Sequence, residues 1–145
     1  MRQFFLGWFF ANLVFSSVPL LAQDASSKPL ADLPVKTVEL TSPIDNLTLG
    51  ANGKYLFLHL KQEQKLAALN VATGAIDKLL PLAESDILFT ANAEKLFILL
   101  RESKVLQRWN IKTWEREQSQ PLQDYEQILH LVTGHGAQGP LLLGI

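Results

Sequence analysis

From residue 45 onward the chain is a succession of short apolar runs separated by brief polar turns, and the apolar positions recur at two-residue rather than helical spacing. Residues 55–60 (YLFLHL) set Leu56, Leu58 and Leu60 on one side of an extended segment and Tyr55, Phe57 and His59 on the other. Both sides are largely apolar, so this strand is expected to be covered on both faces. Turn chemistry brackets it. Ala51-Asn52-Gly53-Lys54 lies ahead, where Asn and Gly tolerate positive φ, and residues 62–64 lie behind. The same reading places strands at 45–49, 66–71 and 76–80, with Ala72-Thr73-Gly74 turning the chain between the last two. Short strands joined by tight turns predict an antiparallel meander and an all-β fold.

Forty positions on, the unit is spelled again. Ala51, Asn52, Leu56, Phe57, Leu60, Leu66, Asn70, Thr73, Pro81 and Leu82 fall without a gap on Ala91, Asn92, Leu96, Phe97, Leu100, Leu106, Asn110, Thr113, Pro121 and Leu122. Leu58/Ile98, Lys61/Arg101, Val71/Ile111 and Asp77/Glu117 are conservative replacements. A period of about 40 to 45 residues is the spacing of four-stranded propeller blades. The predicted fold is therefore a partial β-propeller of four-stranded antiparallel blades with a forty-residue repeat. Blades are expected at 44–82 and 84–122, and a half blade at 126–145, where residues 128–132 and 141–143 read as first and second strands. The repeats differ where Asn92-Ala93 replaces Asn52-Gly53: either Asn92 takes the left-handed conformation or the turn type changes. Residues 115–120 (EREQSQ) are polar, as suits an outermost strand at a solvated edge. Upstream, residues 36–40 align with the fourth strand at 76–80, which is what a ring closed by a terminal strand needs. Propellers close with about four to eight blades. This stretch is therefore expected to belong to a longer propeller or to complete its ring by oligomerising, and to be unstable as a lone monomer.

The start of the chain has a different character. Met1-Arg2-Gln3, followed by residues 4–22 without an ionisable side chain, has the n-region and h-region of a secretory signal. Pro19 breaks the apolar helix, and cleavage is expected after Ala22, giving a signal at 1–22 and a tether at 23–35 ahead of the repeat region at 36–145. An uncleaved anchor is the competing reading, weakened by Asn12, Ser16, Ser17 and Pro19. Either way the remainder is expected to be exported, to a periplasm or outside the cell, with no stable membrane span after cleavage. The net charge of −1 and the lack of a basic stripe exclude a sequence-independent nucleic-acid binder. The absence of cysteine excludes disulfides and thiolate metal sites, so the exported domain must rest on its core, a situation more comfortable in a bacterial periplasm.

The segments ANGKYLFLHL and ANAEKLFILL, followed by ALNVATG and RWNIKTW, resemble the strand-turn-strand units of WD40-like and YVTN-type β-propeller proteins. Leu69-Asn70 and Trp109-Asn110 stand at the Trp-Asp positions of that pattern, and Thr73 and Thr113 at its Thr. The resemblance covers residues 36–145 and implies blades of an exported bacterial propeller. Asn stands for Asp and no Gly-His dipeptide precedes the first strand, so the hydrogen-bond network of strict WD40 repeats is not implied.

Candidate chemistry is sparse. Gly134-His135-Gly136-Ala137-Gln138-Gly139 spells G-x-G-x-x-G, but Pro140 and an apolar run follow where a dinucleotide fingerprint needs a helix and a later acid. It reads as a glycine-rich loop between two strands. His59, His130 and His135 lack the paired spacing of zinc sites. Asp45, Asp77, Glu84, Asp86 and Asp124 fall at strand ends or loops with no convergent pair for acid–base work. No catalytic, cofactor-binding or metal-binding residue is assigned, and no cofactor is expected. Asn46-Leu47-Thr48 matches the glycosylation pattern but lies in a strand. Trp109 is expected in the core. Trp114, exposed at the position of Gly74, and His135 on its loop are the expected partner contacts. The function expected is an exported scaffold that binds a protein partner or ligand, or docks on remaining blades. The alternative is part of an exported propeller enzyme, lactonase-like or quinoprotein-type, with its catalytic residues in further blades.

Overall fold

The computed structural model describes residues 35–124, 127–136 and 139–145, so the leader and nearly all of the tether lie outside the described residues. The strands are β1 (Asn46–Gly50), β2 (Tyr55–Leu60), β3 (Lys65–Asn70), β4 (Ala75–Pro81), β5 (Ile87–Ala91), β6 (Lys95–Leu100), β7 (Val105–Asn110), β8 (Arg116–Pro121), β9 (His130–Thr133) and β10 (Leu141–Gly144). They form a four-stranded sheet β1-β2-β3-β4, a second β5-β6-β7-β8, and a two-stranded β9-β10. Every neighbour is antiparallel, as short connections require.

The likeness of the two repeats extends to register. Tyr55 pairs with Asn70 and Lys95 with Asn110, and each ladder ends forty residues from the other, at Leu60/Lys65 and Leu100/Val105. The outer ladders slip at matching places, between Ala68 and Leu69 and between Arg108 and Trp109, which leaves Asp77 and Glu117 as the extra residues of two bulges. Gln64 and Lys104 share a left-handed backbone (φ 50 and 53), as do Gly74 and Trp114 (φ 64 and 60).

The first strands depart from this rule, and the cause is one residue. Asn52 and Gly53 both take positive φ (55 and 83), and the Lys54 N–H closes their turn on the Ala51 carbonyl at 3.1 Å. Asn-Gly favours that geometry. With Ala93 in place of glycine the turn moves on by one residue. Asn92 now heads it, its Oδ1 accepting from the N–H groups of Glu94 and Lys95 at 2.9 and 2.8 Å. Leu56 consequently faces Leu49, whereas Leu96 faces Ala91, two residues farther along than the repeat would place it. A shift of two keeps every side chain on its own face. Of the two alternatives read from the sequence, the changed turn type is the one realised.

The sheets stack face to face with their first strands side by side, β1 against β5 and β5 against β9. Between the first two lie Tyr55, Phe57, Leu66, Ala68 and Leu80 from one side, and Phe89, Leu96, Ile98 and Leu100 from the other. Leu99, Leu122, Ile128 and Leu131 fill the second seam. Each fully buried Leu or Phe contributes about 1.5–3 kcal/mol, so these seams outweigh any exposed ion pair. At the tightest point the Ala51 N–H donates to the Asn92 carbonyl at 2.8 Å. Gly50 sits there because a Cβ would lie 2.6 Å from the Ala91 Cβ and 2.7 Å from Phe57 Cε2.

Residues 36–40, aligned in sequence with a fourth strand, form no ladder among the described residues. They lie on the first sheet instead. Leu40 packs with Leu56, Leu58, Leu60, Ala67 and Leu69. Leu80 clusters in the same way with Leu96, Ile98, Leu100 and Trp109, forty residues on. The segment thus holds the place of an outer strand that precedes the first sheet, without a third strand to pair with.

Candidate functional site

The first-to-second and third-to-fourth strand turns of each four-stranded sheet project from one end, by the antiparallel order of the strands. Trp114 stands in the last such turn of the second sheet. Its N–H donates to the Asn110 carbonyl at 2.9 Å, and its backbone is left-handed, a rare conformation for so bulky a residue. The ring reaches across to the first sheet and meets Tyr55 and Phe57 edge-on, with centroids 5.4 and 6.3 Å away. The Lys54 ammonium lies 4.9 Å from the Tyr55 centroid. Expected at the surface, Trp114 is instead half-buried, because its indole fills the gap between two sheets. Its partners are the rings of Tyr55 and Phe57. His135 is exposed on the loop after β9. Trp109 packs against the first seam, its indole N–H donating to Gln107 Oε1 at 3.0 Å.

Behind this end the two four-stranded sheets carry the same polar assembly. Asn70 Oδ1 accepts from the N–H groups of Ala72 and Thr73 at 3.1 and 3.4 Å, and Asn110 Oδ1 from those of Lys112 and Thr113 at 2.9 and 3.3 Å. The bulge turns a carboxylate back onto each amide: Asn70 Nδ2 donates to Asp77 and Asn110 Nδ2 to Glu117, both at 3.0 Å. The Tyr55 hydroxyl completes the first set at 3.1 Å. In the second, Lys95 stands at that position and donates to Glu117, with Arg108 Nε at 3.1 Å. The Lys95 ammonium and then the Asn110 amide hold the Glu117 carboxyl below its usual range. Asn70 and Asn110, at the Trp-Asp positions of the resemblance, work here as turn caps bonded to a bulge acid.

The opposite end holds a pair the sequence reading missed. His59 Nδ1 lies 3.2 Å from Asp45 Oδ2, and the imidazole meets Phe89 of the second sheet edge-on at 6.1 Å. Burial pushes the His59 pKa down, against the pull of the Asp45 carboxylate. The neutral ring therefore donates from Nδ1, leaving Nε2 a buried acceptor without a partner among the described residues. Two clues existed in the sequence: His59 shares its strand face with Tyr55 and Phe57, and Asp45 immediately precedes β1. Their pairing depends on the β1–β2 register, which the turn fixes.

Two further candidate carboxylates are drawn into local structure. Glu84 accepts from the N–H groups of Glu102 and Ser103 at 2.9 and 3.0 Å, and Asp86 lies 3.3 Å from the Arg101 guanidinium. Among the described residues no group of three His, Asp or Glu side chains is placed to hold a metal ion, and no helix is long and apolar enough to cross a membrane. A shallow depression of about 180 Å³ on the far face of the second sheet is lined by Phe97, Leu106, Arg108, Gln118 and Gln120.

No protein-family model and no curated protein matches the chain by sequence. Solved structures do match in shape. Apo AztD from Citrobacter koseri is similar at 9% identity with a TM-score of 0.52, over 57% of this chain and 24% of that one. Hydrazine synthase of Kuenenia stuttgartiensis (12% identity, TM-score 0.47, 60% and 26% covered) and a mitotic checkpoint complex (13%, 0.42, 77% and 36%) are more distant in shape. The similar region spans about a quarter of the AztD chain, and likeness at this identity concerns the fold alone. That fold is all-β, four-stranded antiparallel sheets set side by side as the blades of a β-propeller.

Proposed function

We propose that the chain is an exported β-propeller scaffold that presents the turn-bearing end of its sheets to a protein partner or ligand, with further sheets completing the ring. The observation that carries this reading is the double seam between sheets. It holds the turns of consecutive sheets at one end, while in the two four-stranded sheets the polar groups behind the turns are committed to keeping them in shape. His135, exposed on the longest of these loops, is the partner contact of choice, and Trp114 supports the surface from beneath. Export by the leader at 1–22 is part of the same reading. Mass spectrometry of protein from the exporting compartment is expected to find a mature N-terminus near Gln23; an intact Met1 in carbonate-resistant membranes contradicts cleavage.

The test of binding replaces residues 134–140 by Asn-Gly, so that the paired Thr133 and Leu141 are joined by a two-residue hairpin turn. Partner retained by the immobilised chain from the exporting compartment falls at least about tenfold, while the unfolding midpoint holds. Undiminished retention contradicts the assignment.

A further inference from the structure

Two rows of side chains run across the first sheet on the face turned away from the second: Leu47-Leu58-Ala67-Leu79 and Leu49-Leu56-Leu69-Ile76. Leu40 covers their centre, yet Leu47 and Leu49 remain 54% and 43% exposed. The corresponding first-strand residues in the later sheets, Ile87, Phe89 and Leu131, are at most 8% exposed, because a preceding sheet covers them. At the outer edge the contrast runs the other way in chemistry: the first sheet carries exposed Leu79 and Ile76 where the second carries Ser119 and Arg116. The other end of the stack is open too. Val132 and Leu142, paired on the face of β9-β10 that points away from the second sheet, are 53% and 61% exposed.

Among the described residues the margins of one leading face and the whole of one trailing face thus stay open, faces of the two kinds that already bury each other at both internal seams. We propose that a second copy of this chain covers both, head to tail, so that the leading face of each copy seats on the trailing face of the other. A second copy supplies the matching surface at both junctions from residues described here, and the contact continues an interface the fold already uses. The described residues of two copies bring six sheets, two of them two-stranded, within the four to eight at which propellers close. Such a heterologous contact closes a ring when the rotation fits. Residues 36–40 of each copy then occupy the outer-strand place beside β9-β10 of the other.

Sedimentation equilibrium of the full chain in mild detergent, with native mass spectrometry, tests this directly. Wild type is a discrete dimer. Leu47→Glu with Leu79→Glu abolishes the leading contact, and Val132→Glu with Leu142→Glu the trailing one, so each variant alone is monomeric and an equimolar mixture regains a mixed dimer through its one intact junction. Regained dimer also shows that both variants fold. A wild type that stays monomeric, one that forms only polydisperse aggregates, or a trailing-face variant that still pairs with itself overturns the proposal. A different polypeptide co-purifying on these faces in place of a second copy overturns it as well.

Discussion

At the residue scale the side chains that shape this fold are polar ones at fixed offsets. Asn70 joins two turn N–H groups to the bulge carboxylate of Asp77, and a net hydrogen bond contributes about 0.5–1.5 kcal/mol. Asn70→Ala is expected to lower the unfolding free energy by about 1–3 kcal/mol in urea titration, and Asn70→Asp, which keeps the turn acceptor but sets a second carboxylate against Asp77, loses no less at neutral pH and recovers as the pair is protonated. His59 carries the pH dependence. Its folded pKa lies below the ordinary 6.5, so the unfolded chain binds the proton more readily. Its contribution is intact above 6.5 and is lost as pH falls through the lower folded value. His59→Phe removes that slope, and an unchanged profile contradicts the burial of a neutral ring. Glu63 titrates at about 2, held down first by the Thr41 hydroxyl and then by Lys65. Thr41→Ala is expected to raise that pKa toward 4.5 in an NMR titration.

At the element scale, what was legible in the sequence followed from local rules, and what was not depended on neighbours. The alternation in YLFLHL and the Asn-Gly turn before it placed β2 at its observed bounds, because face alternation and turn preference are properties of the segment itself. The forty-residue offset carried the second and third strands of each sheet to the same register. The first strands escaped it, since replacing Gly53 by Ala93 moves a turn, and the pairing with it. Residues 36–40 have the pattern of an outer strand but find no third strand to pair with among the described residues, so they pack without a ladder. That Trp114 is only half-exposed was not legible, because the rings it meets sit on another sheet, far upstream in sequence. Its turn gives a prediction with a built-in contrast. Trp114→Ala loses the ring and keeps the left-handed strain, whereas Trp114→Gly loses the ring alone, so the glycine variant is expected to be more stable by about 1 kcal/mol. Gly50→Ala is expected to destabilise by about 1–3 kcal/mol, because its methyl group has no space between Phe57 and Ala91.

At the scale of the whole molecule the central claim is that successive sheets pack as propeller blades, first strand beside first strand, with the turn of one sheet latched onto the strand of the one before. The apolar seams give that packing its stability, and the Trp114 latch and the Ala51–Asn92 bond give it its alignment. Sheets packed in any other order would separate these groups while leaving each hairpin intact, so measurements within one sheet cannot distinguish the arrangements. Nuclear Overhauser spectroscopy of the folded chain can. Cross-peaks are predicted between the Trp114 indole protons and the ring protons of both Tyr55 and Phe57, together with contacts between the backbones of Ala51 and Asn92. A spectrum that shows the β2–β3 and β6–β7 ladders in register yet lacks all of these inter-sheet contacts would contradict the blade arrangement.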